Sequence, residues 1–267
     1  MKNQVLFIGM GLILLVGLSG CFSFNDYVIE YFEGGYVVDT DTILDVTTFN
    51  GEIMINSWDG NSIVLNATKR SQYDQNDLDL IKINVINSTN KIEFVVEYLG
   101  VKPSKPIVDM NISVPYDVII DDIHTSNGAI MISGVKGNVS AMSSNGRIHI
   151  ENVDGYISAT TSNGNIEVIQ TTGINDLITS NGKIYVEIYG LEENTLLRSS
   201  NGDIEVYIDT TLDAEIEITT SNGAISTTGV TMNVTQYHDN YFNGSLGVGG
   251  NLLNIHTSNG DITLYEL

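Results

Sequence analysis

Three polar side chains, Arg147, His149 and Glu167, are the strongest candidates for chemistry in this sequence. Apolar and polar residues alternate around His149, so Arg147 and His149 are expected on one outward strand face, and Glu167 follows at the equivalent position of the next repeat. A histidine beside a carboxylate could perform acid–base chemistry on a polysaccharide. Glycoside hydrolysis uses two carboxylates, and we expect no second carboxylate or nucleophile to join these three residues. The pattern therefore favours a solvated surface over a catalytic site.

The remaining histidines and the acidic clusters do not predict a metal site. His124 and His256 occupy the same slot, three residues before an Asn-Gly pair, but they are expected at opposite ends of the molecule. Two acidic clusters look superficially like calcium loops: Asp39, Asp41 and Asp45, and Asp74, Asp77 and Asp79. Both lack the glycine and the terminal glutamate that such a loop requires. The sequence therefore predicts no metal, no cofactor and no catalytic residue.

The overall charge argues against nucleic acid as a partner. The chain has 33 acidic and 11 basic residues among 267, which gives a formal net charge of -22. A field of this sign repels a polyanion.

With 42% hydrophobic residues, the chain is long enough for one large all-β domain or two ordinary domains.

The first 21 residues, MKNQVLFIGMGLILLVGLSGC, have the layout of an export signal. An apolar run from Val5 to Leu18 is short for a membrane span, and small residues lead to the single cysteine of the chain, Cys21. The tetrapeptide Leu18-Ser19-Gly20-Cys21 resembles the lipobox of exported lipoproteins, in which the cysteine is lipidated and becomes the mature N-terminus. The sequence therefore predicts an exported protein that is lipid-anchored to the membrane at the cell surface. The alternative is an ordinary signal peptide or an uncleaved anchor with an incidental cysteine.

The dipeptide Asn-Gly dominates the rest of the chain. It occurs nine times, at Asn50, Asn127, Asn145, Asn163, Asn181, Asn201, Asn222, Asn243 and Asn259. From Asn127 onward the spacing is 16 to 21 residues, and seven of the nine pairs follow a serine. A turn repeated at a nearly constant period is the signature of a repeat architecture. Asn and Gly tolerate positive φ, so a corner at each pair is expected to cost little strain.

Apolar residues on both sides of each corner predict strands. After the glycine they recur at a spacing of two, as in Ile130 and Ile132, and a second apolar column lies four residues before the Asn. Seven residues separate the two columns, so an unbroken strand could not bury both, and the chain must bend at the corner. Further glycines, such as Gly137, Gly155 and Gly173, mark a second corner in each unit.

Strand, corner, strand and corner, repeated every ~18 residues, describe the coil of a solenoid. We therefore predict an all-β fold: a right-handed β-helix or closely related β-solenoid with ~18-residue coils and Asn-Gly corners. The Asn amides and the Ser and Thr hydroxyls of successive corners are expected to hydrogen-bond along the stack. A β-sandwich also has short alternating strands, but it does not need identical corner residues at a constant period.

The same signals predict the domain organisation. Residues 1–21 are the signal, residues 22–39 a short aromatic-rich linker, and residues 40–267 a single β-solenoid domain. Within that domain, residues 40–122 are irregular and residues 123–267 form the regular Ser-Asn-Gly coils. The polar stretch at residues 71–80 is expected to be a loop that could hold one helical turn.

Three stretches resemble the putative adhesin family, a β-strand-repeat domain of unknown function. They are LDVTTFNGEIMI near the start, MNISVPYDVIIDDIHTSNGAIMI where the coils begin, and the Ser-Asn-Gly units that follow. The resemblance covers nearly all of the chain after the signal. It implies a β-helix-like fold exposed on the cell surface, with adhesion as the family's label. Its members often have Ser-Gly at the turn, where this chain inserts an Asn. Relatives that look like sensor modules of envelope-stress systems supply a second functional hypothesis.

These inferences lead to one expected function and two alternatives. We expect a non-enzymatic cell-surface lipoprotein with an adhesin-like binding or envelope-scaffold role. Its partners would be the membrane, through the lipid anchor, and an envelope glycan or surface protein. The alternatives are an envelope-stress sensor or signalling module, and a polysaccharide-active β-helix enzyme. Exposed aromatic side chains could bind a partner; they concentrate in residues 24–38 and 235–244, where they could equally cap the solenoid.

Overall fold

The fold is seen in a computed structural model that describes residues 27–101 and 105–267. Cys21 and the rest of the predicted signal lie outside these residues. Within them the chain forms 21 strands and one short helix, α1 (Gln75–Asp79), which is the helical turn expected at residues 71–80. The strands are β1 (Val28–Val37), β2 (Ile43–Asn50), β3 (Ile53–Trp58), β4 (Ser62–Ser71), β5 (Ile81–Ser88), β6 (Lys91–Tyr98), β7 (Ile107–Pro115), β8 (Ile119–Asn127), β9 (Ile130–Ser133), β10 (Val139–Ser143), β11 (Ile148–Asn163), β12 (Ile166–Asn181), β13 (Ile184–Ile188), β14 (Thr195–Asn201), β15 (Ile204–Ile208), β16 (Ala214–Asn222), β17 (Ile225–Thr228), β18 (Asn233–His238), β19 (Tyr241–Leu246), β20 (Asn251–Asn259) and β21 (Ile262–Glu266). The all-β prediction is confirmed. None of the described residues form a helix that is long and apolar enough to cross a membrane.

The strands hydrogen-bond into two ladders that meet at the Asn-Gly corners. Ladder 1 contains the strands that precede the corners, with β5, β6, β19 and β18 added at its ends, in the order β5, β6, β2, β8, β10, β11, β12, β14, β20, β16, β19 and β18. Ladder 2 contains the strands that follow them, in the order β1, β4, β7, β3, β9, β11, β12, β13, β15, β21 and β17. The long strands β11 and β12 belong to both ladders because they run through the second corner without a break.

Successive coils pair in parallel, each residue beside its equivalent. Ile130 pairs with Ile148, Ile148 with Ile166, and Ile166 with Ile184. The apolar columns on both sides of the corners are buried and form one continuous core. Burying one such side chain stabilises a fold by about 1.5–3 kcal/mol, so the stack is held together chiefly by these columns. The result is a β-solenoid-like fold, and the hand of its winding stays a prediction.

The corner asparagines form an unbroken chain of amide hydrogen bonds. In each step the Nδ2 of one Asn donates to the Oδ1 of the Asn in the neighbouring coil, over 2.7–3.0 Å. The order of the eight residues is Asn50, Asn127, Asn145, Asn163, Asn181, Asn201, Asn259 and Asn222. A second row lies two residues before each corner Asn except Asn50, where a buried Thr or Ser hydroxyl donates to a glycine carbonyl of the preceding coil in the stack. The predicted side-chain stacking is therefore confirmed.

The predicted positive φ occurs at three corner glycines, Gly51, Gly202 and Gly260, but it does not explain glycine at the other five corners. None of the eight corner asparagines, all of which are described, has a positive φ. Glycine is required because the backbones of neighbouring coils nearly touch. A Cβ added to Gly146 would lie 1.8 Å from the carbonyl oxygen of Gly128, and one added to Gly164 would lie 2.1 Å from that of Gly146. Only a residue without a side chain fits between these carbonyls.

The coils do not stack in chain order at the C-terminal end. Strand β20 lies between β14 and β16, and β21 lies between β15 and β17, so residues 251–267 fill a gap between two earlier coils. His256 therefore pairs with Arg198 and Thr219 inside the stack. The expectation that His124 and His256 lie at opposite ends is wrong for His256. Several strand spacings of ~4.8 Å still separate the two, so they cannot share a metal ion.

Asn243 is not a corner, which corrects one of the nine positions of the predicted repeat. It lies in β19, which pairs antiparallel with β16 on one side and with β18 on the other. This hairpin covers the end of ladder 1, and its Phe242 is buried. The aromatic stretch at residues 235–244 therefore contributes a cap. The glycine-rich turn that follows, with positive φ at Gly247 and Gly249, returns the chain to the gap that β20 fills.

Part of the predicted linker is a strand. Residues 28–37 form β1, which pairs antiparallel with β4 along its full length and ends ladder 2. Val28, Phe32 and Tyr36 pack against the core, because alternate residues of the strand face inward. An ion pair of 2.8 Å between Glu30 and Lys69 joins β1 to β4. The aromatic residues of this segment thus also contribute to a cap.

Candidate functional site

The outward side chains of ladder 2 form a continuous surface, which we call the outer face. Each coil contributes two outward residues just after its corner, and these residues align in two columns. The first column contains Met54, Met131, His149, Glu167, Tyr185, Glu205, Thr263 and Ser226. The second contains Asn56, Ser133, Glu151, Ile169, Glu187, Tyr207, Tyr265 and Thr228. Parallel strands lie ~4.8 Å apart, so the columns present a regular grid of polar and aromatic groups.

His149 lies between two carboxylates on the outer face. Its Nδ1 is 3.0 Å from an Oε of Glu167, as expected from the repeat, and its Nε2 is 3.4 Å from an Oε of Glu151. The expectation that no second carboxylate joins His149 is therefore wrong. Glu151 follows His149 by two residues on the same strand, so both side chains point to the same side. The hydroxyl of Ser133 donates to Glu151 at 3.0 Å and orients that carboxylate.

This group can hold and exchange a proton, but it does so on an open surface. The side chains of His149, Glu151 and Glu167 are 27%, 41% and 49% exposed. Water therefore screens their charges, whereas catalytic groups work most strongly where water is excluded. Arg147 does not join them, since its guanidinium donates to the Sδ of Met131 at 3.4 Å. The arrangement is an exposed cluster of polar side chains.

A row of tyrosines crosses the outer face in three successive coils. The ring centroids of Tyr185 and Tyr207 are 5.2 Å apart, and those of Tyr207 and Tyr265 are 4.7 Å apart, with the latter rings stacked at 18°. Each such contact contributes about 0.5–1.5 kcal/mol beyond its buried area. Burial raises the pKa of Tyr185, and the neighbouring Tyr207 adds to that shift. The three rings form one continuous aromatic row across neighbouring coils.

The sequence analysis missed this row. Tyr207 and Tyr265 are far apart in the chain and become neighbours only because the last coil is inserted beside β15. Their shared position, three residues beyond the first buried residue after the corner, was a signal that could have been read. This shared position indicates that Tyr207 and Tyr265 belong to one column, but it does not show which residues of the column are neighbours.

Beside the corner the outer face carries a short charged row. The Nζ of Lys183 is 2.7 Å from an Oδ of Asp203, and the other Oδ of Asp203 accepts a hydrogen bond of 3.1 Å from the backbone N–H of Asp261. The hydrogen bond from Lys183, followed by that from Asp261, holds the pKa of Asp203 below its usual value. These donors explain how the carboxylates of Asp203 and Asp261 are tolerated in neighbouring coils.

Four of the six acidic residues in the two predicted clusters have structural partners. Asp74 caps α1 by accepting from the backbone N–H of Asp77 at 2.9 Å, and the buried carboxylate of Asp77 accepts from Ser71 and Tyr98 at 2.6 Å each. Asp41 pairs with a lysine at 2.9 Å and Asp45 with another at 2.5 Å. Across the described ranges, no group of three or more His, Cys, Asp and Glu side chains could hold a metal ion.

Comparisons with known proteins identify the domain. A family model described as Toastrack DUF4097 matches residues 44–265. Similar solved structures include a putative adhesin from Bacteroides fragilis, with 12% identity, a TM-score of 0.47, and 89% of this chain and 97% of that chain covered. A putative cell adhesion protein from Clostridium sporogenes has 13% identity and a TM-score of 0.38, covering 88% and 99%. A putative lipid binding protein from Parabacteroides distasonis has 12% identity and a TM-score of 0.37, covering 89% and 96%. No curated protein matches the sequence.

Proposed function

The chain belongs to the Toastrack DUF4097 family, and from that premise we propose that it is a non-enzymatic, adhesin-like binding protein of the cell surface. Its outer face would bind an envelope glycan or a surface protein. The observation that carries the proposal is the tyrosine row of Tyr185, Tyr207 and Tyr265, set among carboxylates on an exposed and regular sheet. Aromatic residues of this kind are enriched where proteins bind partners.

The scaffold beneath the outer face supports a binding role. Every coil is joined to its neighbours by backbone pairing, by the chain of asparagine amides and by buried hydroxyls. A surface held in this way loses little conformational freedom when a partner binds, so less of the interaction energy is spent on ordering side chains. Repeated contacts at the coil spacing also suit a repeating partner, because several weak contacts can act together.

Charge limits the class of partner. The net charge of -22 disfavours nucleic acid, as it would any strongly anionic polymer. The hydroxyls of the tyrosine row and the carboxylates of Glu167, Glu187 and Glu205 favour neutral or basic partners with hydrogen-bond donors.

The N-terminal segment supports a place for the protein at the membrane. We propose that the apolar run and the tetrapeptide ending at Cys21 direct export and lipidation of the cysteine, so that the solenoid is tethered to the cell surface. We expect Cys21→Ser to shift the protein from the membrane fraction to the soluble fraction, or to block its maturation. Fractionation followed by mass analysis of the N-terminal peptide would measure both effects. A variant retained in the membrane at the wild-type level would contradict the lipid anchor.

The binding role is tested by retention of envelope material. Full-length protein is immobilised on beads, incubated with an extract of the organism's own envelope, and washed. We expect Tyr207→Ala to reduce the retained glycan or surface protein by about tenfold, because it removes the central ring and both of its contacts. The matched control is Tyr237→Ala, since Tyr237 is 60% exposed but lies on the β18–β19 hairpin away from the outer face.

The other outcomes of this experiment separate the alternatives. Equal retention by wild type, Tyr207→Ala and Tyr237→Ala would contradict binding through the outer face. Retention of a single membrane signalling protein would favour the sensor module instead. An enzyme would act through His149 and its two carboxylates, and His149→Ala would then abolish turnover of an envelope glycan; unchanged glycan after prolonged incubation with wild type rules this out.

A further inference from the structure

A groove lies on the opposite edge of the coils, where ladder 2 turns back into ladder 1. It has a volume of about 530 Å³ and crosses five coils, and we call it the second-corner groove. Its lining residues are Ile43, Ile119, Asp121, Lys136, Gly137, Asn138, Asp154, Gly155, Tyr156 and Thr172. None of these residues belongs to the outer face or to the group of Arg147, His149 and Glu167.

The glycines of the second corner create this groove. A Cβ on Gly155 would lie 1.9 Å from the carbonyl oxygen of Gly137, so the stacked backbones exclude side chains here just as they do at the Asn-Gly corner. Side chains therefore line the edges but not the floor. Tyr156 closes one end: a Cβ on Gly173 would lie 2.5 Å from its ring, so the ring covers the next glycine of the column.

The walls combine an aromatic ring and aliphatic groups with polar groups that are free to bind. The carboxylate of Asp121 and the amide nitrogen of Asn138 form no hydrogen bond with any residue in the described ranges, whereas the Oδ1 of Asn138 accepts from the backbone of Tyr156 at 3.0 Å. Asp154 accepts from Thr172 at 3.2 Å and keeps further lone pairs for a ligand. A pyranose ring has the matching chemistry, because its C–H face packs on an aromatic ring while its hydroxyls bind carboxylates and amides.

Charge and length narrow the ligand further. The ammonium group of Lys136 is paired with Asp41 at 2.9 Å, so Asp121 and Asp154 leave the groove with a negative charge. Anionic sugars would be repelled, whereas neutral sugars and amino sugars would not. The lining runs from the coil of Ile43 through those of Ile119, Lys136 and Asp154 to the coil of Thr172, four strand spacings or ~19 Å, which accommodates a short oligosaccharide.

We propose that the second-corner groove is a carbohydrate-binding site for a short neutral or amino-sugar oligosaccharide, with Tyr156 as the stacking platform and Asp121, Asn138 and Asp154 as hydroxyl-binding groups. This site goes beyond the proposed function, since it does not involve the outer face. It gives the protein a second and separate contact with envelope glycan.

Titration calorimetry with the full-length chain tests this site. The probes are neutral tetrasaccharides of glucose, mannose and galactose, the chitosan tetramer, and the galacturonic acid tetramer as an anionic control. We expect at least one neutral or amino-sugar probe to bind and the anionic probe not to bind. Tyr156→Ala should weaken the binding by about tenfold, because it removes the stacking ring. Asp154→Asn should also weaken it, because it removes a carboxylate that binds hydroxyls while the ring stays in place.

The matched control is Tyr237→Ala, an exposed tyrosine of the β18–β19 hairpin that lies in neither the groove nor the outer face, and it should bind the tetrasaccharide with wild-type affinity. Circular dichroism melts of both tyrosine variants would show that folding is retained. Absence of binding to every neutral and amino-sugar probe would overturn the proposal, as would wild-type affinity in both Tyr156→Ala and Asp154→Asn. Retention of envelope material that depends on Tyr207 would survive either result, so failure of the groove is distinguishable from failure of the outer face.

Discussion

Removal of residues 251–267 is expected to abolish cooperative folding of the C-terminal coils. These residues carry β20 and β21, which lie inside the stack with a paired strand on each side. They bury the side chains of Leu253, Ile255, Ile262 and Leu264 completely. Loss of four such side chains costs about 6–12 kcal/mol, which is comparable to the whole stability of an ordinary domain.

Urea denaturation followed by circular dichroism would measure this effect. We expect the shortened chain to lose its transition, or to show an early, separate transition for the coils of β14 to β17. The matched control is a chain that lacks only residues 266 and 267, both of which are exposed. If the coils stacked in chain order, the longer deletion would remove a terminal coil and leave the rest intact. A midpoint equal to that of the control would therefore contradict the inserted coil.

Gly146→Ala is expected to have the largest effect of any substitution by one methyl group. The new Cβ would lie 1.8 Å from the carbonyl oxygen of Gly128, and no flexible side chain can move away to relieve the contact. The backbones of two coils would have to separate at the corner, which would also stretch the amide hydrogen bond between Asn127 and Asn145. We expect a loss of about 3 kcal/mol in the free energy of unfolding.

Gly35→Ala is the matched control for this substitution. Gly35 lies in β1 and not at a corner, and a Cβ added there meets no atom within 4 Å. Its free energy of unfolding should stay close to that of the wild type, within about 0.5 kcal/mol. Equal effects of the two substitutions in urea denaturation would show that close approach of the backbones is not the reason for glycine at the corners.

The sequence predicted what depends on one coil and its repeat. The corners, the apolar columns on either side of them and the pairing of His149 with Glu167 all follow from a period that is visible in the residues. The period-two alternation also places Glu151 on the same strand face as His149. The prediction considered only the equivalent positions of neighbouring coils and not the next outward residue of the same strand. Glu151 could therefore have been predicted from the sequence as the second carboxylate beside His149.

The order of the coils could not be read from the same signals. A corner repeated every 16 to 21 residues looks the same whether each coil stacks on the one before it or on one further away. The β18–β19 hairpin carries its own Asn-Gly pair at Asn243, which imitates the repeat while forming an antiparallel cap. Only pairing between distant segments distinguishes these arrangements, and the tyrosine row depends on it.

Residues 28–37 show a second reason why part of the fold could not be predicted from the sequence. Residues 28–37 combine aromatic residues with two adjacent glycines, a composition that looks like a linker, yet alternate positions face the core. Pairing with the full length of β4 makes them a strand. Tertiary pairing decides such cases, because edge strands have weak local preferences.

The most direct test of the account is a disulfide between Ser226→Cys and Thr263→Cys in a Cys21→Ser background. The hydroxyls of Ser226 and Thr263 are 3.1 Å apart on paired strands, so we predict that the two thiols oxidise to a disulfide. The control pair, Glu205→Cys and Ser226→Cys, has Thr263 between its members and lies two strand spacings apart, or ~9.6 Å, too far for a disulfide. Mass spectrometry of the oxidised, unreduced protein would count the free thiols. A disulfide in the first pair alone supports the inserted coil and with it the tyrosine row, whereas a disulfide in the control pair alone would contradict both.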